Sequence, residues 1–587
     1  MIVLGIHPGY HEASATLFDD YRVLGAIQLE RLNRIKGSGV DQRDWAWPCV
    51  DELLAMGGLR RSDVDAVALT HAALPRLYYR RMQLPWRRLA AAVAPGTIRK
   101  RPYKNLDQVM RDFATAEPPA VFDIARLLAD CGFRADVRVH WCNHHQGHAL
   151  PALFFTDWPE ALIYTADGIG DNIAYSARSL RDGAITELFG GEESVLGPTE
   201  SASLAFAYGI VTAALGFRMF RHEGKVTGLA AYGQPVVYER LASQFAVGDD
   251  GVIRCNWPGF AAMQQGITAL LDGVSREDAA ASIQLLIERL IPDALARILR
   301  RQPHRRLGLA GGLFANVRLN RVLAESLPID EIFIVPPMGD EGLSLGAGLG
   351  FLLARDGLPR WLEERYRLSD LYWARDYDGE IDAALSRLPG VRADDGAPEA
   401  AAAARLAAQQ IGAIYTGRME FGPRALGARS ILANPSRRET HDELNRRLAR
   451  TEFMPFAPVV SDADAARLFG VGRVNAYAAR FMTITTDVRP EWRDRIAAVV
   501  HVDGSARPQI IAREANPLYY DILGEFSART GIPALVNTSF NVHEEPIVNR
   551  PEECAQALID GRVDFVVTRR AVHSRAATSN APPLARA

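Results

Sequence analysis

Apolar runs closed by glycine turns recur along this chain. The first residues, Ile2-Val3-Leu4-Gly5-Ile6, form an apolar strand, and Val3 to Phe18 reads as strand, glycine turn and small-residue strand. Leu162 to Ala177 repeats that device around Asp167-Gly168-Ile169-Gly170-Asp171-Asn172. A third apolar strand, Leu307-Gly308-Leu309-Ala310, runs into the Gly311-Gly312 turn, and Val317-Arg318-Leu319-Asn320-Arg321 beyond it reads as a helix. No apolar run reaches the roughly 20 residues that span a bilayer. From Trp361 to Ala404 the pattern changes to a charged, alanine-rich stretch with little glycine, which predicts the passage between two domains. The tail from Ser574 to Ala587 is rich in alanine, proline and small polar residues and predicts disorder.

Glycine lets a backbone approach an anion closely and aim its amides at it, and small residues after the turn leave room for the ligand. Two such devices, each heading a lobe-sized segment, predict two similar α/β lobes across a phosphate-binding cleft, the organisation of the actin and sugar-kinase (ASKHA) folds. Either device alone is equally an ordinary hairpin. The Gly311-Gly312 turn lets a nucleoside lie against the backbone, with Asn316 and Asn320 near a ribose or base, although such turns also serve plain packing. Glu223-Gly224-Lys225-Val226-Thr227-Gly228 sets Lys225 between glycines, where its ammonium suits a phosphate as a point charge.

The segment Asn143-His144-His145-Gln146-Gly147-His148-Ala149 follows a predicted strand and opens a predicted helix. His144 and His148 fall on one helical face, within reach of a single metal ion. Two nitrogen ligands leave the shell incomplete, and Asp340, flanked by Gly339 and Gly342 in a predicted loop, is the candidate third. A His, His, Asp set suits iron, zinc or manganese alike. Without a metal, the same histidines would cap and line a helix start.

At 587 residues the chain exceeds one ordinary domain, and an apolar content of 48% supplies its cores. A formal net charge of -3 gives no sign of general nucleic-acid binding. Five scattered cysteines without a C-x-x-C pair argue against a disulfide framework or structural zinc and fit a reducing cytosol. No basic n-region or cleavage site opens the sequence, so a soluble cytoplasmic protein is expected. Between Tyr415 and Ser430, Arg418, Arg424 and Arg429 stand among glycines and Pro423, and guanidinium forks in such a loop fit phosphate or carboxylate. Arg507 and Asn537-Thr538-Ser539-Phe540-Asn541 add to what reads as a second anion site. No acidic residue occurs from Val67 to Leu106, while Arg76, Arg80, Arg81, Arg87, Arg88, Arg99, Lys100, Arg101 and Lys104 are interleaved with aromatics. Residues 76–104 therefore read as a contact for an anionic acceptor or a membrane surface, or as a solvated helical insertion.

Taken in order, His11-Glu12-Ala13-Ser14, Gln28-Leu29-Glu30-Arg31, His144-His145-Gln146-Gly147-His148, Glu223-Gly224-Lys225, Ala310-Gly311-Gly312, Gly339-Asp340-Glu341-Gly342, Glu420-Phe421-Gly422-Pro423-Arg424-Ala425-Leu426-Gly427, Pro455-Phe456-Ala457-Pro458 and Asn537-Thr538-Ser539-Phe540-Asn541 resemble the NodU/CmcH family of O-carbamoyltransferases. The resemblance runs from Ile2 to about Thr568. It implies a two-lobed ASKHA-type carbamoyl-transfer domain over 1–360, a linker region over 361–404, a YrdC-like α/β domain over 405–573 and a tail over 574–587.

The second domain would combine carbamoyl phosphate with ATP, as its magnesium complex, into carbamoyl adenylate. The first would pass the carbamoyl group to a hydroxyl of a sugar or natural product, and no nucleic acid is expected as partner. The resemblance places iron(II), or another divalent metal, on His144, His148 and Asp340 as a Lewis acid. His11 becomes the general base, with Glu12 where the family has aspartate. Asp167, Gly168, Gly170 and Lys225 would face the adenylate, and Gly311, Gly312 and Asn316 its nucleoside. Arg418, Arg424, Arg429, Arg450, Arg507, Ser539 and Asn541 would handle carbamoyl phosphate and ATP. Met454 stands where relatives carry arginine, and the lysine that precedes it there is absent or supplied by Arg447. An ATP-dependent sugar kinase and a threonylcarbamoyl tRNA-modifying enzyme are the alternatives.

Overall fold

Two five-stranded sheets of one topology build the first part of the protein. In the first sheet β1 (Ile2–His7) pairs antiparallel with β2 (Ser14–Asp19), and β2 with β3 (Arg22–Gln28). On its other side β1 runs parallel to β4 (Ala66–Thr70), and β4 to β5 (Arg138–Cys142), so the order is β3-β2-β1-β4-β5. The second sheet repeats this with β6 (Ala161–Gly170), β7 (Ile173–Arg181), β8 (Ala184–Phe189), β9 (Arg306–Ala310) and β10 (Glu331–Ile334), in the order β8-β7-β6-β9-β10. The paired glycine devices of the sequence are the β1–β2 and β6–β7 hairpins, and the two-lobed ASKHA architecture follows from their repetition. The computed structural model describes residues 1–39, 45–80, 103–450 and 453–575.

The central strands read as continuous apolar runs because both faces are covered. Val3, Leu4 and Ile6 are wholly buried, as are Leu307 and Leu309. Helix α1 (His144–Phe154) follows β5 directly, and α2 (Glu223–Leu229), α3 (Arg276–Arg301) and α4 (Val317–Ser326) belong to the second lobe. Helix α5 (Leu343–Glu363) packs against both α1 and β1. Glycine permits these contacts: a Cβ on Gly346 would stand 1.8 Å from the Gly147 carbonyl oxygen, and one on Gly5 2.0 Å from that of Ser344. The α1 helix, with its histidines, is thereby clamped at the junction of the lobes.

An eight-stranded mixed sheet forms the rest: β11 (Val391–Ala393), β12 (Gly412–Tyr415), β13 (Arg429–Ala433), β14 (Ala457–Ser461), β15 (Gln509–Ile511), β16 (Ala534–Ser539), β17 (Phe565–Val567) and β18 (Val572–Arg575). Its order is β11-β18-β17-β12-β13-β16-β14-β15. Helices α6 (Pro398–Ala407) and α7 (Pro517–Thr530) pack against each other.

Residues 361–404, expected as a passage between domains, are folded. They hold strands Tyr372–Asp376 and Val391–Ala393, the latter an edge of the large sheet, and helix Asp378–Ser386. The alanine run at their end lies on α6, where Ala402 and Ala403 are buried. Of the expected tail, Ser574 and Arg575 end β18 and the remainder lies outside the described residues.

The large sheet docks on both lobes. Arg31 Nη2 donates to the Gly422 carbonyl at 2.9 Å, Arg34 donates to the carbonyls of Pro546 and Ile547 at 2.8 Å, and Asn320 Nδ2 donates to the Thr483 carbonyl at 2.7 Å. Among the described residues no helix is long and apolar enough to cross a membrane.

Candidate active site

Helix α1 begins where Asn143 Oδ1 accepts the backbone N–H groups of His145 (2.9 Å) and Gln146 (3.2 Å), satisfying two donors of the first turn. That cap fixes the turn, and the rings of His144 and His148 come within 4.8 Å of each other. His145 points the other way, into the core, with Nδ1 2.7 Å from Thr165 Oγ1 and Nε2 3.0 Å from the Ile173 carbonyl oxygen. Burial lowers its pKa to about 3, so it is a neutral, satisfied core histidine.

Four side chains converge beyond that face. Asp340 carries one oxygen 3.6 Å from His144 Nε2 and 3.5 Å from His148 Nε2, and Asp167 Oδ2 lies 3.1 Å from His144 Nε2. The ligand atoms of His144, His148, Asp167 and Asp340 all lie within 4.8 Å of one another. His148 Nε2 is buried without a hydrogen-bond partner. Two imidazoles and two carboxylates around one point, with an orphaned nitrogen among them, fit a divalent transition metal.

The electrostatics agree with that geometry. Burial would raise the Asp340 carboxyl, but the charge of His144 and the approach of His148 outweigh it and hold it well below the usual carboxylate range. Burial would lower His144, and Asp340 and Asp167 instead raise it to about 9.

Sequence reasoning missed one member of this neighbourhood and gave another a different role. Asp167, expected to face an adenylate, is also among the groups that could hold a metal ion. His7, at the end of β1, is buried with Nδ1 2.8 Å from Thr70 Oγ1 and Nε2 3.7 Å from Asp340. Only β1 ending opposite Asp340 brings His7 there, and no spacing in the sequence records that pairing.

His11 is half-exposed, stacks on Phe220, and carries Nε2 3.9 Å from Asp340. Burial would lower its pKa, but the hydrogen bond to Glu12 and the charges of Asp340 and Asp167 push it up to about 10.

The glycines earn their positions around these ligands. A Cβ on Gly170 would stand 2.0 Å from His144 Cδ2. Gly311, at φ 102°, has no room for a side chain either, since its Cβ would approach the Ala166 carbonyl oxygen to 2.2 Å. The Gly312 N–H donates to Asp167 Oδ1 at 2.8 Å, tying the Gly-Gly turn to the metal-ligand cluster. Lys225 is buried on α2, 6.0 Å from the Phe217 ring.

Asn316 departs from expectation. Its Oδ1 caps α4 through the Leu319 N–H (3.0 Å) and its Nδ2 donates to Gln284 (2.8 Å), so the amide is spent inside the protein rather than on a nucleoside. Asn320 likewise donates to the carbonyls of Phe314 and Thr483.

In the large-sheet part, Arg450, Ser539 and Asn541 come together. Arg450 Nη1 donates to Thr538 Oγ1 (2.7 Å) and Nη2 to Ser539 Oγ (3.0 Å), Asn541 Oδ1 (2.7 Å) and the carbonyl oxygens of Ser539 (2.9 Å) and Asn541 (2.8 Å). Arg424 reaches from the Gly422-Pro423 turn to within 3.5 Å of the Ala315 carbonyl oxygen, beside the Gly311-Gly312 turn of the other part. Arg507 is half-buried.

Arg429 and Arg418 are corrections. Arg429 is wholly buried, stacked 3.7 Å from the Tyr415 ring, and donates to the carbonyls of Thr416, Gly417 and Ala428. Arg418 gives Nε and Nη2 to the carbonyls of Ala374, Trp373 and Leu24, and borders a cavity of about 630 Å³ whose lining does not include Arg450. These carbonyl bonds make both guanidinium groups structural ties between neighbouring segments.

Arg447 pairs with Glu443 and Asp564. Met454 packs on α2, where a Cβ on Gly228 would meet its Cγ at 2.6 Å. Within 76–104, Arg80 pairs with Asp123 at 3.4 Å and Lys104 with Asp112 at 2.7 Å, acids supplied from beyond the stretch. Arg81, Arg87, Arg88, Arg99, Lys100 and Arg101 lie outside the described residues.

Comparison with known proteins matches both parts. Residues 2–349 fit the family described as Carbamoyltransferase N-terminus and residues 403–575 the one described as Carbamoyltransferase C-terminus. Nodulation protein NolNO of Sinorhizobium fredii is 31% identical over 576 residues, 95% of this chain and 78% of that protein. Nodulation protein NolO of Bradyrhizobium diazoefficiens is 33% identical over 438 residues, 72% of this chain and 77% of that protein. An uncharacterized protein of Methanocaldococcus jannaschii is 32% identical over 456 residues, 74% of this chain and 73% of that protein. With matches over both of its parts, and the histidine and aspartate cluster between its lobes, the chain belongs to the carbamoyltransferase family.

Proposed function

We propose that this carbamoyltransferase is ATP-dependent and works at two sites. The large-sheet domain, residues 405–573, would form carbamoyl adenylate from carbamoyl phosphate, water and magnesium ATP, releasing phosphate and pyrophosphate. The lobed domain, residues 1–360, would transfer the carbamoyl group from the adenylate to an acceptor hydroxyl, releasing AMP and a proton. The observation that carries this reading is the buried His144, His148, Asp167 and Asp340 cluster, tied by Gly312 to a glycine turn and faced by Arg424 from the other domain.

Each residue contributes by position. Arg450, held by the side chains of Thr538, Ser539 and Asn541 and by the carbonyls of Ser539 and Asn541, would turn its guanidinium to a phosphoryl group together with their hydroxyl and amide groups. Arg424 and Lys225 supply positive charge between the two sites. His144, His148, Asp340 and Asp167 would hold a divalent metal, iron(II) on this reading, which would supply Lewis-acid polarisation. His11, beside Asp340, would take the acceptor's hydroxyl proton. Adenylation makes chemical sense because free carbamate is a poor electrophile and AMP is a good leaving group. Five unpaired cysteines support a cytoplasmic setting.

Exchange of labelled pyrophosphate into ATP, without acceptor, tests the first half. Exchange that requires carbamoyl phosphate is expected; exchange indifferent to it, or none from folded protein, would refute adenylate formation.

A further inference from the structure

One strap of the second lobe, residues 218–222, touches the first lobe and the large-sheet domain at once, beside His11. Its backbone is held where a bulky side chain rarely stays, since Phe220 is at φ 65°, in the left-handed region. The Phe220 N–H donates to Glu223 Oε1 at 2.7 Å, and the Phe220 ring lies on the His11 imidazole with centroids 5.8 Å and planes 17° apart. A phenyl ring that is 53% exposed on a left-handed residue is not there to fill a core.

His11 has need of that support. Its Nδ1 lies 3.8 Å from Glu12 Oε2 and its Nε2 3.9 Å from Asp340 Oδ2, both too long for a contact that fixes the plane of a ring. On the strap side it borders a cavity of about 340 Å³, room in which an unsupported imidazole would turn away.

The strap is in turn anchored to the large-sheet domain at Glu544, which is itself left-handed at φ 62°. Arg221 Nη1 donates to Glu544 Oε2 at 3.3 Å, and His222 Nε2 donates to Oε1 at 2.8 Å. The other arm of the Arg221 fork, Nη2, donates to the Lys36 carbonyl of the first lobe. The next residues there, Gly37 and Ser38, accept the N–H groups of Glu12 (3.3 Å) and Ala13 (2.9 Å), which follow His11. Glu544 therefore holds both the ring that supports His11 and, through Arg221, the loop that supports its backbone.

His222, His543 and Glu544 also bring metal-ligand types together, but the bonding opposes a metal. The Arg218 N–H donates to His222 Nδ1 at 3.1 Å, which leaves the proton of that imidazole on Nε2. A metal-bound histidine is arranged the other way, with a proton to donate on the nitrogen that the metal does not take. Arg218 and Arg221 also crowd the carboxylate, so the cluster is a tie between domains.

Resting on the reading of His11 as the base, we infer that Phe220 is a positioning residue for His11 and that Glu544 sets Phe220 in place through Arg221 and His222. Docking of the large-sheet domain thereby orients the base of the lobed domain.

The His11 Cε1–H resonance tests this without an acceptor. It is read at one fixed pH in zinc-loaded protein with histidine labelled by carbon-13 at Cε1, zinc being diamagnetic, and is assigned by its loss in His11→Gln. Phe220→Leu keeps bulk but removes the ring current, and should move the resonance. Phe220→Tyr restores a ring and should return it to the wild-type position. Glu544→Gln should move it toward the Phe220→Leu position, and in the double variant should add no further shift, because it acts through Phe220. A cooperative thermal melt shows that each variant is folded. A wild-type His11 position in folded Phe220→Leu or in folded Glu544→Gln, or the same Glu544→Gln shift with and without Phe220, would overturn the inference. Carbamoyl transfer retained by His11→Gln would instead strike the reading of His11 as the base.

Discussion

Gly170 is the floor on which the His144 imidazole lies: a Cβ there would stand 2.0 Å from Cδ2 and 2.6 Å from Nε2. The second glycine of the Asp167-Gly168-Ile169-Gly170 device therefore leaves the room that the His144 imidazole occupies. Forcing a methyl group into a packed contact costs about 1–3 kcal/mol, and 1.4 kcal/mol is about tenfold in affinity. Gly170→Ala should lower metal affinity by about tenfold or more, read as metal retained after dialysis against a competing chelator. Wild-type retention would show that His144 is not held by this contact.

Removing the metal should separate the two half-reactions. After chelation, removal of the chelator and return of magnesium, pyrophosphate exchange should persist while carbamoyl transfer stops, and the same split is expected for Asp340→Asn. Transfer that survives in metal-depleted protein would contradict the role given to the four-ligand cluster.

Two arginines of one sequence region should behave differently. Arg450→Ala should lose most exchange and lower the melting temperature less than Arg429→Ala does, because Arg450 is only partly buried whereas Arg429 is wholly buried. Arg429→Ala should destabilise the domain by about 3–5 kcal/mol, since it leaves three carbonyl oxygens buried without their donor. The reverse pattern would assign the phosphate site to Arg429.

Glu544 links the domains through His222 Nε2 at 2.8 Å and Arg221 at 3.3 Å. Burial opposes ionisation there, but the His222 hydrogen bond and the charges of Lys36, His222 and Arg221 hold the carboxyl down at about 2, against 4.5 for an ordinary glutamate. A carboxylate depressed on folding contributes stability that is complete above its unfolded pKa and lost as pH falls through the folded value. Glu544→Gln should therefore be less stable than wild type at pH 7, and the difference should close as pH falls from about 4.5 toward 2. A gap in melting temperature that is independent of pH would assign the effect to packing.

Much of this was legible in the sequence. The β1–β2 and β6–β7 hairpins announced the repeated lobe because glycine turns are local, and the four-residue spacing of His144 and His148 put them on one helical face. What the sequence hid was tertiary. Asp167 joins the cluster only because β6 passes beside α1, and His7 comes to its edge only because β1 ends beside Asp340. Asn316 looked like a ligand residue because it follows a Gly-Gly turn, yet the N-terminus of α4 claims its side chain. Arg418 and Arg429 looked like anion ligands because a sequence does not show which guanidinium groups meet backbone carbonyls. The charged, alanine-rich stretch before Ala404 concealed an edge strand of three residues, too short to show alternation.

The nucleotide product tests the central claim most directly. With acceptor, carbamoyl phosphate and ATP present, chromatography of the quenched reaction should find AMP and pyrophosphate in equal amounts, rising with the carbamoylated product. ADP in place of AMP would mean phosphoryl transfer to the acceptor, and would contradict the account in favour of a kinase.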